Sequence, residues 1–171
     1  MAVNIPSGRR TRRKGVSARP GDPTFYRGDD YRIDESIGYL LRQLRIQMDR
    51  AIDAEMAEHD LTGVQWGPLL AIDFGLGNTA AELARVACVD TGAMTRMLNR
   101  LEAKGLVRRS RCTDDARIVR LELTGEGRRL CREIPFGLSR VFNGLLRGLT
   151  AQDLATFKLL VRRMLANAES S

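Results

Sequence analysis

Between Thr79 and Leu123 the apolar residues change their spacing once, and that change restricts the fold more than any other feature of this chain. At 100° per residue, Met94, Met97, Leu98 and Leu101 fall within about 100° of one another and share one helical face. Asp90 is placed to cap that helix, 91–104, and Gly105 to end it in the left-handed conformation. Past Gly105 the period drops to two. Residues 106–111 and 118–123 read as strands, and in the second Val119, Leu121 and Leu123 alternate with Arg120 and Glu122. The intervening 112–116 are polar and turn-like. Upstream, Thr79-Ala80-Ala81-Glu82 forms a capping box that opens a short helix holding Leu83 and Val86. A short helix, a second helix and a hairpin therefore follow one another with minimal linkers.

Longer helical patterns flank this segment. Ile37, Leu40, Leu41, Leu44, Met48, Ile52 and Met56 recur at spacings of three and four, which predicts a helix over about 35–59 with Asp34 or Ser36 as its cap. Thr62-Gly63-Val64-Gln65 is a second capping box, opening a helix that includes Trp66, Leu69, Leu70 and Ile72 and ends at Gly75 and Gly77. Thr124 is placed to cap a helix carrying Leu130, Ile134, Leu138, Val141 and Leu145, with an interruption expected at Pro135. A third box, Thr150 to Asp153, opens a last helix with Leu154, Phe157, Val161, Met164 and Leu165. The long stripes exceed what one small lobe can cover, so they predict packing against a partner subunit.

Charge and cysteine usage narrow the function. The 171 residues carry a net charge of +7, which favours a polyanionic partner, nucleic acid before membrane. The excess is uneven: residues 1–32 hold eight basic and three acidic residues, including the run Arg9-Arg10-Thr11-Arg12-Arg13-Lys14. Without apolar periodicity, 1–32 read as a disordered basic arm, able to touch phosphates or to contact nothing specific. Cys88, Cys112 and Cys131 are widely spaced and odd in number, a poor disulfide framework, and His59 is the only histidine, so neither a metal nor a cofactor is expected. No apolar run is long enough to span a bilayer and no signal peptide is apparent, so membrane partners are not expected and the cytoplasm is the expected compartment. The chain lacks a glycine-rich phosphate loop and a histidine dyad. Asp114-Asp115, adjacent on a turn, do not converge on one substrate atom. No catalytic residue is expected.

The face of 91–104 opposite its core stripe carries Gly92, Arg96, Asn99 and Ala103, flanked by Thr95 and Arg100. A short, polar, cationic face of this kind suits a helix in the major groove, where Arg pairs with guanine, Asn with adenine and Thr with phosphate or a thymine methyl. Thr91 sits at the helix start, whose amides can meet a phosphate. The same face would serve as an ordinary solvated surface. The hairpin favours the DNA reading, because Arg108, Arg109 and Arg111 precede its tip and Arg117 follows it, with Asp115 placed to orient an arginine. The expected fold is therefore mainly α with a small β-hairpin wing: a winged helix-turn-helix lobe plus a helical dimerisation region. The alternative is a non-enzymatic helical interaction module, which would have no need of the cationic face and wing.

The segment from Thr95 to Arg109, then Asp115-x-Arg117 and Leu123-Thr124-x-x-Gly127, resembles the recognition helix and wing signature of MarR-family regulators. The match runs over roughly 35–167, and Val89–Leu98 with Leu149–Thr156 looks nearest to its multiple-antibiotic-resistance repressor type. The resemblance implies a homodimeric repressor on a pseudo-palindromic operator in double-stranded DNA. It implies DNA-binding roles for Thr91, Thr95, Arg96, Asn99, Arg100, Arg108, Asp115 and Arg117, with Arg117 in the minor groove. The domain organisation becomes an arm (1–32), a dimerisation region (33–61 and 125–171) and a DNA-binding lobe (62–124). It further implies a small aromatic carboxylate or phenol as effector between dimerisation helices and lobe. The junction of the first two helices is the expected pocket, with Met48, Ile52, His59 and Trp66 as its wall and Arg42 and Arg45 able to neutralise an acid. The family's peroxide-sensing branch keeps a reactive cysteine near the start of the first helix, and none stands there. A thiol-oxidation-sensing repressor through Cys88 or Cys112 is the remaining alternative, although Cys88 is expected to be buried and inert.

Overall fold

The computed structural model describes residues 24–111 and 119–170. The expectations that concern Arg9 to Lys14, Cys112, Asp115 and Arg117 lie outside them. Six helices and one hairpin follow in order: α1 (Ile37–Ala57), α2 (Trp66–Asp73), α3 (Ala80–Val86), α4 (Thr91–Ala103), β1 (Val107–Arg111), β2 (Val119–Leu123), α5 (Gly125–Leu145) and α6 (Ala151–Glu169). This is the mainly helical fold with a two-stranded wing that the sequence predicts. The chain divides into two compact units, one ending at Gln43 and one beginning at Leu44.

In the first unit the start of α1 is fixed by side chains. The Ser36 hydroxyl donates to the Ile33 carbonyl at 2.7 Å and accepts from the Tyr39 amide at 3.3 Å, so Ser36 rather than Asp34 does the capping. The Tyr26 hydroxyl accepts from the Ile37 amide at 2.8 Å, satisfying another amide of the first turn.

In the second unit the core is built around α4. Met94, Leu98 and Leu101 are fully buried with Met56, Leu69, Leu83 and Ile134. The α3 capping box forms complete: Thr79 accepts from the Glu82 amide while the Glu82 carboxylate accepts from the Asn78 and Thr79 amides. Those bonds, the Asn78 amide first and then the Thr79 hydroxyl, hold the Glu82 carboxyl below its ordinary range. The Thr62 box forms only by half. Gln65 accepts from the Thr62 amide at 2.9 Å, but α2 begins at Trp66 without a side-chain cap. Here Thr62 to Gln65 is a turn ahead of the helix, closed by the Gln65 amide on the Thr62 carbonyl. Pro135, expected to interrupt α5, sits inside a continuous helix. Its ring removes one intrahelical bond, yet Ile134 and Leu138 on either side are buried and carry the helix through.

β1 and β2 pair antiparallel with Val107 opposite Leu123 and Arg109 opposite Leu121. Leu121 and Leu123 face the core as the alternation predicts, while Val119, nearer the tip, is exposed. The Leu121 amide donates to the Asn78 carbonyl at 2.7 Å, tying β2 to the residue ahead of the α3 cap.

One junction joins α4, the hairpin and α5. Gly105, at φ +70°, closes α4: its amide reaches the Glu102 carbonyl, and the Leu106 amide the Leu101 carbonyl. The Thr124 hydroxyl donates to the Gly105 carbonyl at 2.6 Å and accepts from the Gly127 amide at 3.0 Å, capping α5. The Thr124 amide meets the Leu106 carbonyl at 3.0 Å. Gly127 lies so close that a Cβ there would stand 2.1 Å from the Leu106 carbonyl oxygen. The Leu-Thr-x-x-Gly signature is thus a packing requirement. Gly127→Ala should destabilise the protein by about 2–3 kcal/mol through forced displacement of backbone, read as a lower urea midpoint. An unchanged midpoint would show that the junction yields.

Candidate nucleic-acid interface

The two faces of α4 separate as the sequence predicts. Met94, Leu98 and Leu101 are buried and Met97 is half-buried, whereas Gly92, Thr95, Arg96, Asn99, Arg100 and Ala103 are all exposed. Asp90 caps the helix by accepting from the Ala93 amide at 2.8 Å. Thr91 is exposed at its start. The Thr95 hydroxyl donates back to the Thr91 carbonyl at 2.8 Å, which leaves its oxygen as an acceptor and its methyl outward. Among the described residues Arg96 and Arg100 form no ion pair, so their charge is available to a polyanion.

The hairpin arginines stand differently. Arg108 is bound to Glu122 through Nε at 3.0 Å and Nη2 at 2.6 Å, across the register that pairs the two residues. With the Ser110 hydroxyl this pushes the Glu122 carboxyl below its ordinary range. Arg108 therefore presents a largely neutralised pair. Arg109, absent from the expected set, bridges from β1 to α4: it contacts Asn99 at 2.6 Å and Glu102 at 2.5 Å. On β1 it lies opposite Leu121, on the face of the buried Val107, so the alternation of the strand sets it apart from Arg108, which lies opposite Glu122.

The residues expected to wall an effector pocket do not meet in one place. Trp66 lines an apolar cavity of about 450 Å³ with Phe74, Leu83, Val86, Val89 and Met97, and Arg45 is the charged residue among the described lining. His59 lines a different, polar cavity with Lys104, Arg129 and Glu133, its Nδ1 3.7 Å from the Glu133 carboxylate. The chain turns sharply between them, with Asp60 at φ +52°. Ile52 is packed into the core, Met48 is half-buried, and both line neither cavity. The indole Nε1 of Trp66 is buried and has no hydrogen-bond partner among the described residues, a cost unless something accepts from it. Arg45 uses its Nε on Asp49, at 2.7 and 2.8 Å.

The cysteines correct the expectation. Cys88 is exposed, because it turns the chain out of α3 at φ +53°, and Cys131 is the buried thiol. Burial, and to a lesser degree the Asp73 carboxylate, pushes the Cys131 thiol up to about 11. No group of three or more His, Cys, Asp or Glu among the described residues has the arrangement of a metal site. No helix among them is long and apolar enough to cross a membrane.

The MarR family model matches residues 76–119, from the loop before α3 into β2. The multiple antibiotic resistance protein MarR of Escherichia coli is 32% identical over 130 residues, covering 75% of this chain and 90% of that protein. The chain belongs to the MarR family. A cysteine-to-serine variant of E. coli MarR, solved in complex with operator DNA, superposes with a TM-score of 0.70 at 32% identity over 75% of this chain and 92% of that one. The Bordetella bronchiseptica regulator BpsR, solved to explain regulation of its DNA binding by 6-hydroxynicotinic acid, gives a TM-score of 0.72 over 78% and 96% of the two chains. At 23% identity that likeness speaks for the fold alone. As a member of that family the chain is a DNA-binding transcriptional regulator.

Thiol chemistry offers a direct check on the site's geometry. Iodoacetamide at pH 7 should alkylate Cys88 in the native protein and spare Cys131 until the chain is unfolded, read by peptide mass mapping. The thiol of Cys131 ionises later in the folded chain than in the unfolded one. Stability held by the protonated form should therefore fall as pH rises from about 9 towards 11. Labelling of Cys131 at the rate of Cys88 would overturn the assignment.

Proposed function

We propose that this MarR-family regulator is a cytoplasmic homodimeric repressor. Each α4 would read one half-site of a pseudo-palindromic operator, and the wings would grip the flanking minor grooves through Arg117. The carrying observation is that the cations on the outer face of α4, Arg96 and Arg100, are exposed and without ion pairs among the described residues, on a helix whose other face is locked into the core. In this reading Thr91, Thr95, Arg96, Asn99 and Arg100 are the contacts from α4, Arg108 and Asp115 orient the wing, and no residue is catalytic. Residues 62–124 form the DNA-binding lobe, and 33–61 with 125–171 the dimerisation region. Support for a dimer comes from α6, which has no buried residue although Phe157, Leu159, Leu160, Met164 and Leu165 line it, each more than 40% exposed. Ile37, Leu40, Leu41 and Leu44 on α1 are exposed as well. Apolar surface of this extent is normally covered, and a partner copy burying more than about 2,000 Å² would cover it.

Sedimentation at micromolar concentration should give the mass of two chains, with one dimer bound per operator duplex. Arg96→Ala should relax base preference at a few positions, at about 1–3 kcal/mol for the bidentate pairing it removes. Arg117→Ala should weaken all sequences more evenly and lower the salt slope by about one unit for each phosphate the arginine neutralises. A monomeric mass, or two variants that bind like wild type, would defeat this reading.

For the effector, we propose a small aromatic carboxylate or phenol in the apolar cavity beside Trp66. The indole N–H, unpartnered among the described residues, and the Nη groups of Arg45 are donors for an oxygen-bearing ring, and α3 and α4 form one wall, so occupancy acts on the DNA-reading helices. Salicylate- and hydroxybenzoate-like compounds should quench Trp66 fluorescence and release DNA, and bound operator should weaken the ligand's affinity by the same factor. Release of DNA without a change in Trp66 emission would place the effector elsewhere. Exposed Cys88, at the turn between α3 and α4, favours a second reading, an oxidation-sensing repressor. Peroxide-dependent DNA release that Cys88→Ser abolishes would establish it.

A further inference from the structure

We infer that Arg109 sets the base preference of Asn99, turning an asparagine that would otherwise select adenine into a donor that selects guanine or thymine. This rests on the placement of α4 in the major groove proposed above.

Asn99 stands on the outer face of α4, one turn beyond Arg96, with its side chain exposed. Arg109 reaches it from the base of the hairpin, where its backbone is held opposite Leu121, a core residue. Arg109 Nη2 donates to Asn99 Oδ1 at 2.6 Å, and Nη1 donates to the Glu102 carboxylate at 2.5 Å. The guanidinium is thus anchored at two points, with the side chains of Arg109 and Glu102 only 34% and 37% exposed.

A guanidinium carries hydrogen-bond donors and no acceptor. The atom it meets on Asn99 must therefore be the carbonyl oxygen, which fixes the amide's orientation and turns its NH2 group away from Arg109. Asparagine selects adenine by using both ends of the amide at once: the NH2 donates to adenine N7 while the oxygen accepts from the adenine N6 amino group. Here that oxygen is engaged by a cation. It keeps a second lone pair, but an adenine amino group brought to it would press its own positive hydrogens against the guanidinium. What remains is the amide NH2, two donors and no usable acceptor. The edges that answer it are those offering acceptors without an amino group beside them, guanine O6 and N7 or thymine O4; adenine N7 can accept, but its neighbouring N6 amino group then faces the guanidinium, and cytosine's N4 amino group is rejected. Arg109 contacts no base in this arrangement and is a positioning residue.

The test uses the full chain and a randomised duplex library of about two helical turns, selected in parallel with wild type and variants. In wild type, one position per half-site should favour guanine or thymine, and Asn99→Ala should abolish that preference. Arg109→Ala releases the amide oxygen, and at that same position adenine should rise by roughly five- to a hundredfold relative to the other bases. Glu102→Gln loosens the anchor and should move the preference in the same direction by less, which keeps the inference testable if Arg109→Ala folds poorly. Asn99→Asp keeps the arginine contact but removes the donors, and should turn the position towards cytosine, whose amino group a carboxylate accepts from. The inference is overturned if adenine already leads at the Asn99-dependent position in wild type. It is overturned too if Arg109→Ala lowers binding to all sequences evenly with the preference intact, as removing a phosphate-binding cation would. In both cases the effects of Asn99 and Arg96 survive and the groove placement stands. If Asn99→Ala and Arg96→Ala leave every position unchanged, the groove placement falls, and the role of Arg109 falls with it.

Discussion

The approach of Gly127 to the Leu106 carbonyl is the contact on which the lobe is assembled. Three elements must meet there: the end of α4, the start of the hairpin and the first turn of α5. Each arrives with unsatisfied backbone groups. Thr124 serves all three, accepting from α5, donating to the Gly105 carbonyl behind α4 and pairing its own amide with Leu106. A side chain at 127 would hold α5 away and break this set of bonds together. The left-handed turn at Gly105 is needed for the same reason, since it aims β1 back across the end of α4.

With that junction closed, α4 has no freedom to roll. Its apolar face packs against α3 and β1 within the core, and what remains outward is short and cationic. The energetic roles are separated by face. Stability comes from Met94, Leu98 and Leu101, at roughly 1.5–3 kcal/mol for each fully buried side chain. Charge is concentrated where no ion-pair partner stands among the described residues. The wing contrasts with this, because at its root Arg108 is already paired with Glu122. A DNA phosphate approaching Arg108 has to compete with a carboxylate, whereas Arg96 and Arg100 meet no such competitor among the described residues.

Much of this was legible in the sequence because local chemistry and tertiary position agreed. The caps at Thr79, Asp90, Thr124 and Thr150 form as their residue types predict, and the two faces of α4 follow from arithmetic on one helix. The failures are tertiary. Gln65 accepts from the Thr62 amide as the Thr-x-x-Gln pattern predicts, but 62–65 close a turn ahead of the helix, which the pattern does not disclose. Pro135 reads as a break, but the buried residues around it outweigh one lost hydrogen bond. His59 and Trp66 are seven residues apart and face different cavities, because the left-handed backbone at Asp60 redirects the chain. Cys88 adopts the same backbone region and turns outward. Positive φ is uncommon at residues other than glycine, signalled weakly by an Asp such as Asp60 and not at all by Cys88, and it accounts for two of these misplacements. The contact between Arg109 and Asn99 joins a strand to a helix and is invisible to any periodicity.

The bond from the Leu121 amide to the Asn78 carbonyl makes β2 and the entry to α3 move as one piece. Asn78 also feeds the Glu82 carboxylate that closes the α3 cap, so the helix pair and the hairpin root are geared together. The distance from α4 to the root of the hairpin then behaves as a gauge of fixed length. A molecule lodged against α3 cannot tilt the helix while leaving the hairpin behind. It would turn α4 and the root of the hairpin together, so any contacts that the two made with one partner would shift in the same motion.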